Sequence, residues 1–322
     1  MKSVPWIALA LALATAPLAQ AQPAFPGKAI RIIVPVAPGG NVDLVARALA
    51  QPMSEAFGQQ VIVENRPSAS SLVGTQFVAR SAPDGYTLLA IANTFAMVPS
   101  VMPSAGYDPI KEFAAVTLTC LVPQVLETNP ALPVRSVKDL IALAKTKPAQ
   151  LAYGSGGTGG TGHFAGELFS RQAGIKMLHV PYKGAAPALI DVISGHVQLM
   201  FDQLGPSLPH IQSGKVRALG LTSLKRSPAA PGIPTMDEAG LNGFEDITFN
   251  GLVAPAGTPR EILVKLQNEV ARIVRIPELH KRYMDRGVDL TASKSPDEFA
   301  AYIRTEFEIK GKLGREAGIR ME

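Results

Sequence analysis

Among 322 residues the sequence has a single cysteine, Cys120. Disulfides within the chain and cysteine-built metal centres are thereby excluded, and Cys120 reads as a small buried hydrophobe. The five histidines, at 163, 179, 196, 210 and 280, never stand at the helical spacing that zinc sites favour, so no metal role is expected. Aromatic residues are scarce at 6%, there is no long basic run, and the net charge is only +5. That pattern gives no support for nucleic-acid binding and at most assists an anionic ligand. The chain also lacks any apolar run long enough to span a bilayer. Its one marked run, Trp6–Ala16, falls short, and Trp6 is the only tryptophan.

That run belongs to a targeting segment, Met1–Ala21. Lys2 gives the positive start, Pro17 breaks the apolar stretch, and Ala19-Gln20-Ala21 is a small-x-small cleavage site. No cysteine follows it, which removes a lipid anchor. An exported chain without disulfides must be held by its core, and the 47% hydrophobic content supplies one. The compartment implied is a bacterial periplasm.

Two stretches share one design. Ile30–Val36 is an apolar strand, Pro38-Gly39-Gly40 turns the chain, and a helix runs from Asn41, read as its N-cap, to Phe57. Leu151–Tyr153 is a short strand, followed by a loop with five glycines from Gly154 to Gly160 and a helix from about His163. Each loop leaves bare N–H groups at the positive end of a helix, where an anion is favoured. The expectation is that these two helix starts face each other across a cleft and grip a carboxylate. Elsewhere strands and helices alternate, as in an α/β fold with parallel sheets. The extended stretches Val116–Thr128 and Ile247–Ala254 read as two crossings between domains. Helix starts are signalled at Ser136-x-x-Asp139, Thr258-Pro259-Arg260-Glu261 and Ser295-Pro296-Asp297-Glu298.

Other uses of the glycine loop fail on particular residues. Gly157-x-Gly159-x-x-Gly162 has the dinucleotide spacing, but His179–Lys183 lacks the acid such a site needs, so no cofactor is expected. No Lys-Ser/Thr follows for a phosphate loop. A nucleophile elbow would need glycine where Tyr153 stands. His163 reads equally as a capping residue or a ligand contact. Asp43 reads as a helix-start carboxylate or as an orienter of the loop. Asp202 ends an apolar strand, where ligands gather in open α/β sheets.

At these residues the chain resembles the Bug or TctC-like extracytoplasmic receptors of tripartite tricarboxylate transport systems. The matching pieces include Ile33-Val34-Pro35 to Pro38-Gly39-Gly40 with Asp43, Val63-Glu64-Asn65-Arg66-Pro67 and Pro83-Asp84-Gly85-Tyr86. They continue through Tyr153-Gly154-Ser155 to His163, Val180-Pro181-Tyr182-Lys183-Gly184 and Ala254-Pro255-Ala256-Gly257-Thr258-Pro259. The resemblance implies a two-domain periplasmic binding protein of type II, the Venus flytrap, each domain a mostly parallel sheet flanked by helices. Residues 22–122 with 250–322 would form domain 1, and 123–249 domain 2. It implies a monomer without catalysis, whose carboxylate ligand passes to a membrane permease of the tripartite type. Ligand contacts are expected at Gly39, Gly40, Asn41 and Asp43, at Ser68, Ser70 and Thr94, at Ser155, Thr158, Gly159, Thr161 and His163, and at Asp202.

The chain departs from the family pattern in three places. Ser68-Ala69-Ser70-Ser71 replaces Gly-Ala-Gly-Gly, Gly160 replaces a usual serine, and Glu127 stands where the family is commonly apolar. Two rival readings come from other classes: an exported hydrolase using Ser155 and His163, and the ligand-sensing subunit of a signalling system.

Overall fold

The computed structural model describes residues 25–320, so the targeting segment lies outside the described residues. The first unit runs β1 (Ile30–Val34), α1 (Asn41–Phe57), β2 (Val61–Asn65), α2 (Leu72–Ala79), β3 (Thr87–Ala92) and α3 (Thr94–Val101). The long strand β4 (Phe113–Thr128) then leads to α4 (Val137–Thr146), β5 (Ala152–Ser155), α5 (Thr161–Ala173), β6 (Leu178–Pro181) and α6 (Ala185–Ser194). Next come β7 (Leu199–Gln203), α7 (Leu204–Gln212) and β8 (Arg217–Leu221). The chain returns along β9 (Ile247–Pro255) and ends in α8 (Arg260–Ile273), α9 (Pro277–Met284), β10 (Asp289–Leu290) and α10 (Pro296–Glu316).

Apolar runs become buried strands because helices cover both sheet faces. Ile30, Ile32, Ile33 and Val34 of β1 are fully buried. β1 pairs in parallel with β2 and β3, and β5 pairs in parallel with β6 and β7. The crossing strands close each parallel set with antiparallel pairing. Along Phe113–Pro123, β4 pairs with β9; along Gln124–Thr128 it pairs with β7 and β8 instead. One strand thus belongs to two sheets, and the pairing changes hands at Pro123–Gln124. Each sheet has its own core. Leu49, Met53, Leu266 and Val270 pack on one face of the first sheet and Phe95, Phe249 and Phe299 on the other. Leu140, Tyr153, Phe169 and Phe201 fill the core of the second.

Two of the three expected caps form. Ser136 Oγ accepts the Asp139 N–H at 3.1 Å, and Ser295 Oγ accepts the Glu298 N–H at 3.2 Å. Thr258 does not cap: its hydroxyl donates to the Pro255 carbonyl at 2.8 Å, and α8 starts after Pro259. Helices α3 and α7 carry Pro99 and Pro209 in their interiors, which hides them from a reading by propensity. Burial overrides it: Phe95, Met97 and Val98 of α3 and Leu204 and Leu208 of α7 are core residues.

The sheet–helix contact leaves no room at Gly251 of β9. A methyl there would lie 2.1 Å from the Phe299 ring and 3.0 Å from the Thr117 carbonyl oxygen. Gly251→Ala is expected to cost about 1–3 kcal/mol by overpacking. Gly232→Ala, which meets open space, should stay within about 0.5 kcal/mol. Urea unfolding of the two variants checks the difference.

Candidate ligand-binding cleft

A cleft of about 710 Å³ opens between the two sheets' helices. Its floor holds Val122 of β4 and Asn250 of β9. One wall is the β1–α1 loop with the start of α1; the other holds Thr161, Ala185, Asp202 and Gly205. Thr161 opens α5 and Ala185 opens α6, while Asp202 and Gly205 flank the start of α7. Four helix starts therefore surround one space. The caps of α1, α5 and α6 are Gly40, Gly160 and Gly184, none with a side-chain cap bond. First-turn N–H groups have no helical acceptor, so the cleft presents donors and positive dipole ends, with Asp202 the one acid in its lining.

The first loop is braced from below. Asn41, expected as the N-cap, is instead the first helical residue, and Gly40 is the cap. The Asn41 amide donates to Asn250 Oδ1 at 2.7 Å, and the Cys120 thiol donates to the same oxygen at 3.1 Å. Burial pushes the Cys120 thiol up to about 12, which leaves it unreactive. Asp43 is buried and does not line the cleft. It accepts the Gly39 N–H at 3.0 Å, the Asn65 amide at 2.8 Å and the Arg47 guanidinium at 3.0 Å. Burial alone would raise its pKa, but the bonds from Arg47, Gly39 and Asn65 outweigh that and hold it below the usual carboxylate range. Asp43 thus fixes the turn at Gly39, whose φ is +90°.

The second loop is braced by histidines. His163 Nδ1 accepts the Gly159 N–H at 3.1 Å, so this nitrogen carries no proton. The His163 ring stacks on His179 at 3.7 Å, and His179 Nε2 bonds Ser155 Oγ at 2.6 Å. Ser155 is fully buried. The Ser155–His163 pairing that a hydrolase would need is not formed, because His179 takes the serine. Burial pushes both imidazoles down to about 4, and for His163 the neighbouring His179 lowers it further. Of the residues named from this loop, Thr161 lines the cleft; Ser155, Thr158, Gly159 and His163 do not.

Ser68, Ser70 and Thr94 also stand outside the cleft lining. Ser68 Oγ accepts the Val73 N–H at 2.9 Å. Ser70 and Ser71 hold left-handed backbone, with φ of 53° and 62°, at positions where glycine is at ease. The expected contacts that do gather around the cleft are Gly39, Gly40, Asn41, Thr161 and Asp202. Asp202 is 7% exposed, and its Oδ1 accepts the Gln203 N–H at 2.8 Å. Behind it Glu127 is fully buried, bonded at Oε1 by the Ser207 hydroxyl at 3.1 Å, with Oε2 unpartnered. Burial raises Asp202 to about 6; burial and then the charge of Asp202 raise Glu127 to about 8.

Sequence reasoning missed Asn250, Tyr283 and Arg286. Asn250 had a signal, a lone amide inside an apolar strand. Tyr283 and Arg286 had none, since tertiary packing brings α9 to the cleft. The Tyr283 hydroxyl donates to the Leu44 carbonyl at 2.9 Å, tying α9 to α1. The Arg286 carbonyl oxygen would lie 2.5 Å from a methyl at Gly205, so the two walls already touch there.

Replacing Ser70 or Ser71 by glycine should relieve the left-handed strain and stabilise the protein by roughly 1 kcal/mol each, read by urea unfolding. The Glu127 carboxyl holds its proton more tightly in the folded chain than in the unfolded one. Its contribution is therefore complete below the ordinary value of 4.5 and is lost as pH rises through about 8. Glu127→Gln, neutral at every pH, should match the parent's Tm below about pH 4.5 and exceed it by an amount that grows up to about pH 8 and levels off above that. A Tm–pH series of both proteins checks this.

The sequence profile described as "Tripartite tricarboxylate transporter family receptor" matches residues 45–319. A UPF0065 protein from the tcbD-tcbE intergenic region of Pseudomonas sp. strain P51 is 36% identical, over 95% of this chain and 91% of that protein. BugT of Bordetella pertussis is 34% identical, over 92% of each chain. Among solved structures, Rhodopseudomonas palustris Rpa4515 with adipate superposes with a TM-score of 0.81 at 34% identity, covering 92% of this chain and 99% of that one. The periplasmic binding protein BugD gives a TM-score of 0.77 at 33% identity, covering 92% and 100%. MatC of R. palustris with bound malate gives 0.76 at 29%, covering 90% and 99%. With its paired sheets, shared crossing strand and a profile match spanning most of its length, the chain belongs to the tripartite tricarboxylate transporter receptor family, the Bug and TctC-like periplasmic solute receptors.

Proposed function

We propose that this receptor captures a small carboxylate in the cleft and presents it to a membrane permease of the tripartite type. The observation that carries the reading is the ring of four helix starts, three of them capped by glycine alone. Such starts favour an anion without a charged side chain to hold it. The relatives solved with adipate and with malate support the same ligand class. In this reading the backbone amides of Gly40 and Asn41 take the carboxylate from one lobe, with Gly39 held in place by Asp43, and Thr161 and the start of α6 take it from the other. Residues 22–122 with 250–322 move against 123–249, with the pivot where β4 changes partner. An anion that touches both walls is bound best when they close, so it shifts the population toward the closed form. The chain reaches the periplasm through removal of Met1–Ala21 and acts there as a monomer without catalysis.

The test is a dye-based thermal shift on protein starting at Gln22, which contains no tryptophan to report binding directly. Small carboxylates are compared with their amides. An acid at about a hundred times its Kd should add roughly 2.7 kcal/mol of stability, and its amide nothing comparable. Equal shifts from acid and amide would remove the carboxylate reading.

A further inference from the structure

Asp202 is an acid among groups that attract anions. It lines the cleft, is 93% buried (7% exposed), and its Oδ2 has no hydrogen-bond partner among the described residues. Oδ2 opens to the cleft, so a guest that fills the cleft takes away its water, and a carboxylate oxygen left dry and unmatched is costly. The surrounding elements do not supply it. Asp202 faces Val125 across the sheet, and Glu127 occupies the diagonal position on the same face. That position carries a second acid whose own Oε2 is also unmatched. The α7 hydroxyl of Ser207 is committed to Glu127, and β8 places Ala218 beside Glu127. Arg286 is the one basic residue lining the cleft; it is exposed and makes no ion pair with Asp202.

We propose that Asp202 is the specificity-determining residue of the cleft, selecting carboxylates that also carry a hydrogen-bond donor, ammonium before hydroxyl, over the unsubstituted acid. The proposal rests on the carboxylate reading above. In a closed cleft, an unsubstituted acid leaves Oδ2 of Asp202 both dry and unpaired. A hydroxyl removes that penalty, and an ammonium group also neutralises the charge. Sites built around a buried acceptor reject analogues that lack the donor far more strongly than apolar pockets reject a missing methylene.

Two matched series test it on the chain starting at Gln22, above pH 7: propionate, lactate and alanine, then succinate, malate and aspartate. Within each series only a hydrogen, a hydroxyl or an ammonium group changes. By calorimetry or thermal shift, Kd should fall at least about tenfold from the unsubstituted acid to the ammonium member of a series that binds, with the hydroxyl member between. Asp202→Asn should weaken the ammonium member by about tenfold or more while leaving the unsubstituted acid within about threefold. The variant removes one of two neighbouring buried acids, so its Tm should equal or exceed the parent's, which confirms folding. The proposal is overturned if the unsubstituted acid binds as well as its substituted partners, if Asp202→Asn weakens all members alike, or if none of the six binds. Failure of the carboxylate reading looks different: propionamide and alaninamide would then match propionate and alanine, whatever the substituent.

Discussion

A backbone N–H in the first turn of a helix has no partner inside that helix, and this structure depends on how four sets of them are held. Most proteins satisfy such groups with a serine, threonine or aspartate side chain. Here the cleft-facing starts of α1, α5 and α6 are capped by glycine. The helices pointing away from the cleft, α4 and α10, have serine caps that do bond. Open starts are not confined to the cleft, since α2, α3, α8 and α9 also lack a side-chain cap bond; what the cleft adds is the gathering of four starts around one space. Holding open loops in place then falls to buried groups beneath them. Asp43 does it for one loop through Gly39, Arg47 and Asn65, and the His163–His179 stack does it for the other.

The two walls are joined by more than the crossing strands. Phe164 of α5 is buried against Met97, Val101 and Leu313 from α3 and α10 of the opposite lobe. Near it Lys310 of α10 pairs at 2.5 Å with Asp246, the residue before β9, both almost fully buried. A buried pair of this kind adds little net stability, but breaking it by removing one partner is costly. It therefore fixes where α10 sits relative to the return crossing. The apolar contact and the ion pair set the relative position of the lobes, while the N–H groups of the cleft are left free for chemistry.

Much of the fold was legible because it rests on local patterns. The apolar run Ile30–Val34, the glycine turns and the amphipathic helices after them are written within a few residues of one another. The two serine caps were legible for the same reason. What was not legible depends on distant residues. Asn41 looked like a cap, yet its amide is spent on Asn250, 209 positions away. Ser155 and His163 lie close in sequence and looked like a pair, but β6 delivers His179 between them and reassigns both. Asp43 reads correctly as an orienter of its loop only once Arg47 and Asn65 are seen to converge on it. Glu127 could be recognised as unusual from its apolar neighbours; that it sits diagonal to Asp202 needed the register of β4 against β7.

Gly205 has a consequence of a mechanical kind. Its missing side chain lets the start of α7 rest against the carbonyl of Arg286, where even a methyl would approach to 2.5 Å. Backbone there meets backbone, with no side chain between the two segments. A larger residue at this one position would push the start of α7 away from Arg286 and widen the cleft that both line.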